Sequence, residues 1–376
     1  MTRRLLLPWL LLTVPACVLG TGPDDGLLDE AAEWQRTYDE LRTGGKEDGW
    51  RCSGVLVPDE SGFGNRIALT FDDGPSAATT PKVMDVLRRH HAPATFFVMG
   101  KNLADPANRA IAQEIDADPL FELGNHSWSH PNVARLGASD VASEIDSTLG
   151  ALGDLGAEPR WFRFPYGSAT CATADAVRSR DLTVVGWHID SADWCFAAGG
   201  GTCSPATFAE VPSAYRSDMT GYVLQQAQRR GGGVLLFHDI KRYTADALDG
   251  VLTALESAGF TFASLSDATL FPILNGAPPP ASIGAACTGP EQCAGPSGLL
   301  CHPAGFCTTT CAGFCPGADT FCIADPATAG GTCVVKAGSG NHSCADLPGT
   351  IRVRADRFVG ASGTPAASAD VCAPPG

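Results

Sequence analysis

Between residues 66 and 273, short β-type runs alternate with helical patterns, and this alternation constrains the fold more than any other feature of the chain. The runs lie at 67–71, 95–98, 121–124, 161–164, 183–187, 233–237 and 261–264. Val141, Ile145, Leu149 and Leu152 fall on one helical face between two of the runs, and Leu248, Val251, Leu252 and Leu255 repeat the signal further on. Pro81 opens another helix in its first turn, where its missing N–H costs nothing. Seven strands alternating with helices imply a parallel sheet, and at this size a closed or nearly closed barrel.

The rest of the 376 residues divides around that region. A hydrophobic fraction of 44% excludes wholesale disorder, and the absence of an 18-residue apolar run after the N-terminus excludes a polytopic membrane protein. A net charge of −15 argues against a nucleic-acid partner, which needs a basic footprint. Residues 1–20 have the layout of a secretory signal: Arg3 and Arg4 precede a short apolar stretch at 5–14. Val14-Pro15-Ala16-Cys17 loosely resembles a lipoprotein box, so the expectation is secretion, with a lipid anchor at Cys17 as the alternative. Residues 21–65 form an acidic leader, 274–284 a proline-rich linker, and 285–376 a Cys-rich module. Without Cys17 the cysteines number four before residue 281 and ten after it. None forms a paired C-x-x-C spacing, so disulfides made in an oxidising compartment are expected within each group.

The polar residues that carry chemistry fall just past the strand ends. Asp72 and Asp73 follow the first run, and His126 and His130 the third. Arg163 and Tyr166 close the fourth, Asp190 follows the fifth, and His238 follows the sixth. In a parallel β/α barrel all such ends open on one face. Adjacent carboxylates repel, so two ionised aspartates need a cation beside them. His126 and His130, four apart, meet one ion if their loop winds as a helical turn. Two imidazoles and one carboxylate make a catalytic divalent site with open positions, suited to zinc rather than magnesium or calcium. Asn125-His126-Ser127 also matches a glycosylation acceptor, but it overlaps this motif.

Taken in order, TFDDGP at 70–75, His126-Ser127-Trp128-Ser129-His130, Arg163-Phe164-Pro165-Tyr166-Gly167, Asp190 to Trp194, and Leu235 to Asp239 resemble the five motifs of the polysaccharide deacetylase family, the NodB homology domain of carbohydrate esterases. The resemblance covers residues 66–273 and implies a distorted (β/α)7 barrel. It implies Asp72 as general base and Asp73, His126 and His130 as ligands of one divalent metal, zinc first, with cobalt or nickel as alternatives. It further implies that Arg163 orients the base and that the Tyr166 backbone N–H stabilises an oxyanion. Asp190 tunes the general acid His238, Trp194 walls the groove, and Leu236 lines the pocket for the acetyl methyl.

The function implied is an exported, metal-dependent hydrolase that removes N-acetyl groups from an N-acetylglucosamine-containing polysaccharide of the peptidoglycan, chitin or exopolysaccharide type. Two alternatives are an O-acetyl esterase on a xylan-like glycan and a non-catalytic glycan-binding protein whose Cys-rich tail recognises glycan or protein. Residues 195–218 are longer than a minimal family member needs, and Cys195 and Cys203 can close a small Gly-rich loop there.

Overall fold

The computed structural model describes residues 54, 55, 57, 62–277 and 283–293, and most of 299–375. The signal, Cys17, most of the acidic leader and the middle of the linker lie outside the described residues.

Eight parallel strands form the main sheet: β1 (Arg66–Asp72), β2 (Ala94–Val98), β3 (Phe121–Asn125), β4 (Trp161–Phe162), β5 (Thr183–Val184), β6 (Ile189–Asp190), β7 (Gly232–His238) and β8 (Thr261–Phe262). Their order is β5-β4-β3-β2-β1-β7-β6, with β8 paired to the foot of β1. The sheet is thus a distorted barrel, open between β5 and β6. Helices cover its outside: α1 (Thr80–Arg89), α2 (Pro106–Ala117), α3 (Ala138–Gly153), α4 (Cys171–Arg178), α5 (Asp193–Ala198), α6 (Met219–Arg230) and α7 (Arg242–Ser257). Central strands buried on both faces need continuous apolar runs, and β1 and β7 have them. The amphipathic helices turn Val141, Ile145 and Leu152 of α3, and Leu248, Val251, Leu252 and Leu255 of α7, inward.

One expected strand divides. The run at 183–187 yields β5 and, after a break, β6. The break has a cause: the carbonyls of Val185 and Gly186 accept hydrogen bonds from Arg163 Nε (3.1 Å) and Nη2 (2.8 Å). Backbone acceptors spent on a side chain are lost to the ladder. Counting β5 and β6 as one interrupted strand restores seven.

The C-terminal region is built differently. A small antiparallel sheet joins β11 (Thr310–Cys311), β12 (Thr320–Asp325), β13 (Gly330–Lys336), β14 (Ile351–Asp356) and β15 (Ser368–Ala373). A two-stranded ladder precedes it, β9 (Leu300–Cys301) with β10 (Cys307–Thr308). The ten cysteines pair within the region: Cys287–Cys301, Cys293–Cys307, Cys311–Cys322, Cys315–Cys333 and Cys344–Cys372. Its apolar core is little more than Phe306, Phe321, Ile323, Val334, Val371 and Ala373, so covalent links replace burial.

Candidate active site

Strand register sets the geometry of the barrel mouth. Asp72, the last residue of β1, is level with His238, the last residue of β7. His126 begins immediately after β3, and Arg163 immediately after β4. Four strand ends thereby bring Asp72, Asp73, His126, Arg163 and His238 to one face.

Asp73 sits at φ 75°, in the left-handed region. It is 2% exposed, and neither carboxylate oxygen has a hydrogen-bond partner among the described residues. Its Oδ1 lies 3.5 Å from His126 Nε2 and 3.3 Å from His130 Nε2. His126 donates its Nδ1–H to the Arg163 carbonyl at 2.8 Å, which leaves the Nε2 lone pair facing Asp73. Burial alone would raise the Asp73 pKa, but His130, His126 and His238 hold it well below the ordinary carboxylate range. Burial drives His130 the other way, down to about 3 against the pull of Asp73. One donor atom from each of Asp73, His126 and His130 lies within 4.8 Å of the other two. A buried, unsatisfied carboxylate facing two imidazole nitrogens fits a divalent cation, with room for further ligands.

The histidine loop is not the helical turn expected from the spacing. Ser127 (φ 65°) and His130 (φ 64°) are left-handed, and the loop is held by residues outside the five motifs. Glu144 of α3 accepts the backbone N–H groups of Trp128 (2.9 Å) and Ser129 (2.8 Å) on one oxygen, and the Ser129 hydroxyl (2.7 Å) on the other. Asn125 accepts the Ser127 N–H at 2.9 Å and donates to the Ile145 carbonyl at 3.0 Å; fully buried, it is no glycosylation acceptor in this fold. Sequence reading missed Glu144 because nothing in its spacing sets it apart from other polar helix residues.

Arg163 is fully buried. Its Nη1 donates to Asp72 Oδ1 and to Thr70 Oγ1, both at 2.8 Å, and its guanidinium lies over the Phe97 ring at 4.2 Å. Burial lowers the arginine pKa and Asp72 opposes the fall. Asp72 therefore faces a fixed cation on one oxygen and His126 Nε2, at 3.7 Å, on the other. Tyr166 occupies a strained left-handed turn (φ 58°, ψ 9°), and its ring meets His130 edge-on at 4.5 Å. Leu236 is fully buried in β7, level with Thr70 and Asp190 on the neighbouring strands.

On the His238 side, two expectations change. The carboxylate against His238 is Asp193, not Asp190: Asp193 Oδ1 is 2.8 Å from His238 Nδ1, while Oδ2 accepts the His238 backbone N–H at 2.7 Å and the Thr244 hydroxyl at 2.5 Å. Asp190 instead accepts the Ala192 N–H at 2.7 Å, and burial pushes its pKa up to about 6. In Asp190-Ser191-Ala192-Asp193 both aspartates suit the role by type. The left-handed Ala192 (φ 54°) decides which one turns toward β7. Burial would lower His238, but Asp193, Asp73 and Asp72 outweigh it and push its pKa up to about 10. Trp194, expected as a groove wall, is 3% exposed and lies beneath Phe208 with the rings 5.0 Å apart.

Comparison with known proteins places these observations in context. Residues 61–185 match the polysaccharide deacetylase family. A peptidoglycan N-acetylglucosamine deacetylase of Listeria monocytogenes is 33% identical over 218 residues, covering 57% of this chain and 41% of that protein. A peptidoglycan N-acetylmuramic acid deacetylase of Bacillus subtilis is 32% identical over 202 residues, 53% of this chain and 38% of that protein. The chain thus spans less than half the length of either relative. A family 4 carbohydrate esterase from Streptomyces lividans, solved in complex with acetate, superposes with a TM-score of 0.44 at 28% identity, covering 54% of this chain and 93% of that one. The matched segment carries the first three of the five motifs, and all five meet at one barrel mouth: residues 61–185 carry the signature of the polysaccharide deacetylase family.

Proposed function

We propose that the protein is an exported, divalent-metal-dependent hydrolase that removes N-acetyl groups from N-acetylglucosamine-containing polysaccharide of the cell wall. The observation that carries the reading is the buried Asp73, whose oxygens have no hydrogen-bond donor among the described residues while two imidazole nitrogens face it. Named relatives that deacetylate peptidoglycan support the substrate class. The secretory layout of residues 1–20 and the extensive disulfide pairing support export, free or through a lipid at Cys17.

Asp73, His126 and His130 would hold a divalent ion, zinc before cobalt or nickel, which when bound would supply Lewis acidity toward the acetyl carbonyl and acidify water. Asp72, oriented by the Arg163 guanidinium, takes a proton from the attacking water. The Tyr166 backbone N–H donates to the oxyanion of the tetrahedral intermediate. His238, kept protonated by Asp193, gives its proton to the departing amine nitrogen. An amine is a poor leaving group without that proton, so a proton donor at this place serves an amide substrate. Leu236 packs beside the acetyl methyl.

The test is acetate release by the purified full chain from chito-oligosaccharide and from peptidoglycan, with bound metal quantified in the same sample. Release that a chelator abolishes and zinc restores is expected. A metal-loaded chain inert toward both polymers overturns the reading.

A further inference from the structure

The geometry points to the insertion at 195–218 as a clamp that positions the acid pair, with Arg216, Phe208 and the Cys195–Cys203 disulfide acting on His238 through Asp193. This inference rests on the deacetylase reading above, and it gives a role to a segment that the five motifs do not include.

The element that carries Asp193 is weak by itself. Helix α5 has six residues, and its N-cap, Ala192, is left-handed and makes no side-chain cap. A helix that short has no stability of its own in water. Yet Asp193 in its first turn is fully buried and must hold three donors from outside the helix: His238 Nδ1–H, the His238 backbone N–H and the Thr244 hydroxyl. Something outside the helix has to keep it in place.

The insertion does so at three points. Cys195, inside α5, is bonded to Cys203. Arg216 then ties the far end of the loop to its beginning. Its Nη1 donates to the carbonyls of Phe208 (2.5 Å) and Cys203 (3.2 Å), its Nη2 donates to that of Ala209 (2.9 Å), and its own carbonyl accepts the Cys203 N–H at 2.8 Å. Phe208, 1% exposed, covers the Trp194 ring, and the Trp194 backbone N–H donates to Asp193 Oδ1 at 2.8 Å. On the opposite side, Phe196 stacks on Tyr243 of α7 with the planes only 7° apart, one residue from Thr244. The helix is gripped between a cross-linked loop and α7, and the residue so gripped is the one that charges the acid.

A defect in proton donation has a chemical signature that general loosening lacks. An amide cannot expel its amine without the proton, whereas an aryl acetate ester expels a stable phenolate without help. The full chain is assayed on N-acetylated chito-oligosaccharide and on 4-nitrophenyl acetate, with metal content measured throughout. Asp193→Asn serves as the reference for a damaged acid pair. Arg216→Ala and the double variant Cys195→Ser/Cys203→Ser are expected to lose about tenfold or more on the amide, a fraction of what general acid catalysis supplies, with the ester rate and metal content unchanged. Arg216→Lys and Phe208→Leu should fall between these and the wild type.

Equal loss on both substrates, or amide rates unchanged in variants that fold, overturns the clamp. Where the double variant does not fold, Arg216→Ala and wild-type protein treated with a mild reductant carry the same test. A reference Asp193→Asn without selective amide loss overturns the acid pair itself, and a wild type inert toward the amide overturns the deacetylase reading. Each failure is therefore distinguishable.

Discussion

The two sides of the barrel mouth hold their reactive groups by different means. On the side proposed to hold the ion, Asp73, His126 and His130 ride on loops that pass through the left-handed region at Asp73, Ser127 and His130. Non-glycine residues held there cost of order 1 kcal/mol or more each, so the conformation must be over-determined by its surroundings. Glu144 and Asn125 hold the histidine loop, and Asn102 donates to the Asp73 carbonyl at 2.6 Å and the Gly74 carbonyl at 3.1 Å. Gly74 has no room for a side chain, since a Cβ there would come within 2.2 Å of Asp239 Oδ2. On the acid side, Asp193 stands on a short helix held by a disulfide, an arginine and two aromatic contacts. The lesson is that one face of a barrel can combine hydrogen-bonded strain with covalent bracing. Damage to one side should leave the other working.

That separation can be broken or sharpened by experiment. The largest effect is expected from Asp73→Ala, which removes the carboxylate proposed as a metal ligand: metal content should vanish and acetate release should fall by about a thousandfold or more. Retained metal would contradict the ligand assignment. Next comes Asp193→Asn, with about a hundredfold loss of amide turnover and full metal content. Loss of metal here would join the two sides that the geometry separates.

Asp193→Asn also has a pH signature. His238 is pushed up to about 10 from an ordinary value of 6.5. A raised histidine pKa stabilises the fold fully below 6.5, and that contribution is lost as pH rises through about 10. The difference in unfolding free energy between wild type and variant should therefore be largest in mild acid and shrink across this window. A gap independent of pH would refute the coupling.

Glu144→Ala should weaken metal affinity by about ten- to a hundredfold, as loss of a ligand-orienting contact does, with Glu144→Gln milder. Calorimetric titration of the metal-free protein measures it, and unchanged affinity would show that the loop holds itself. The smallest effect on catalysis should come from Cys344→Ser/Cys372→Ser. Removing that bridge costs about 2–5 kcal/mol within the C-terminal sheet while acetate release from a soluble oligosaccharide stays within about twofold. A matching fall in activity would tie that module to the barrel mouth.

Much of the site was legible from residue order because chemistry-bearing side chains directly follow apolar strand runs. Asp72, His126, Arg163 and His238 are each the last residue of a strand or the first after it, where a parallel barrel opens. What could not be read depends on backbone torsion. Residue type could not choose between Asp190 and Asp193, because a single left-handed residue, Ala192, rotates one away from His238 and the other toward it. Nor could spacing reveal that Trp194 is buried, since its cover, Phe208, comes from a loop with no periodic signal. Glu144 acts by accepting backbone donors, and that role leaves no trace in pattern.

The sequence by itself determined the alternation of strand and helix, the side of the barrel on which the reactive residues gather, and the division between an apolar core and a cross-linked tail. These follow from hydrophobic periodicity and cysteine count, which are local properties of the chain. Only the tertiary structure decided which carboxylate charges which imidazole, which oxygens are left without donors for a cation, and which aromatic faces are covered. Those outcomes hang on distances of a few tenths of an ångström between segments far apart in sequence, and no local pattern encodes such distances.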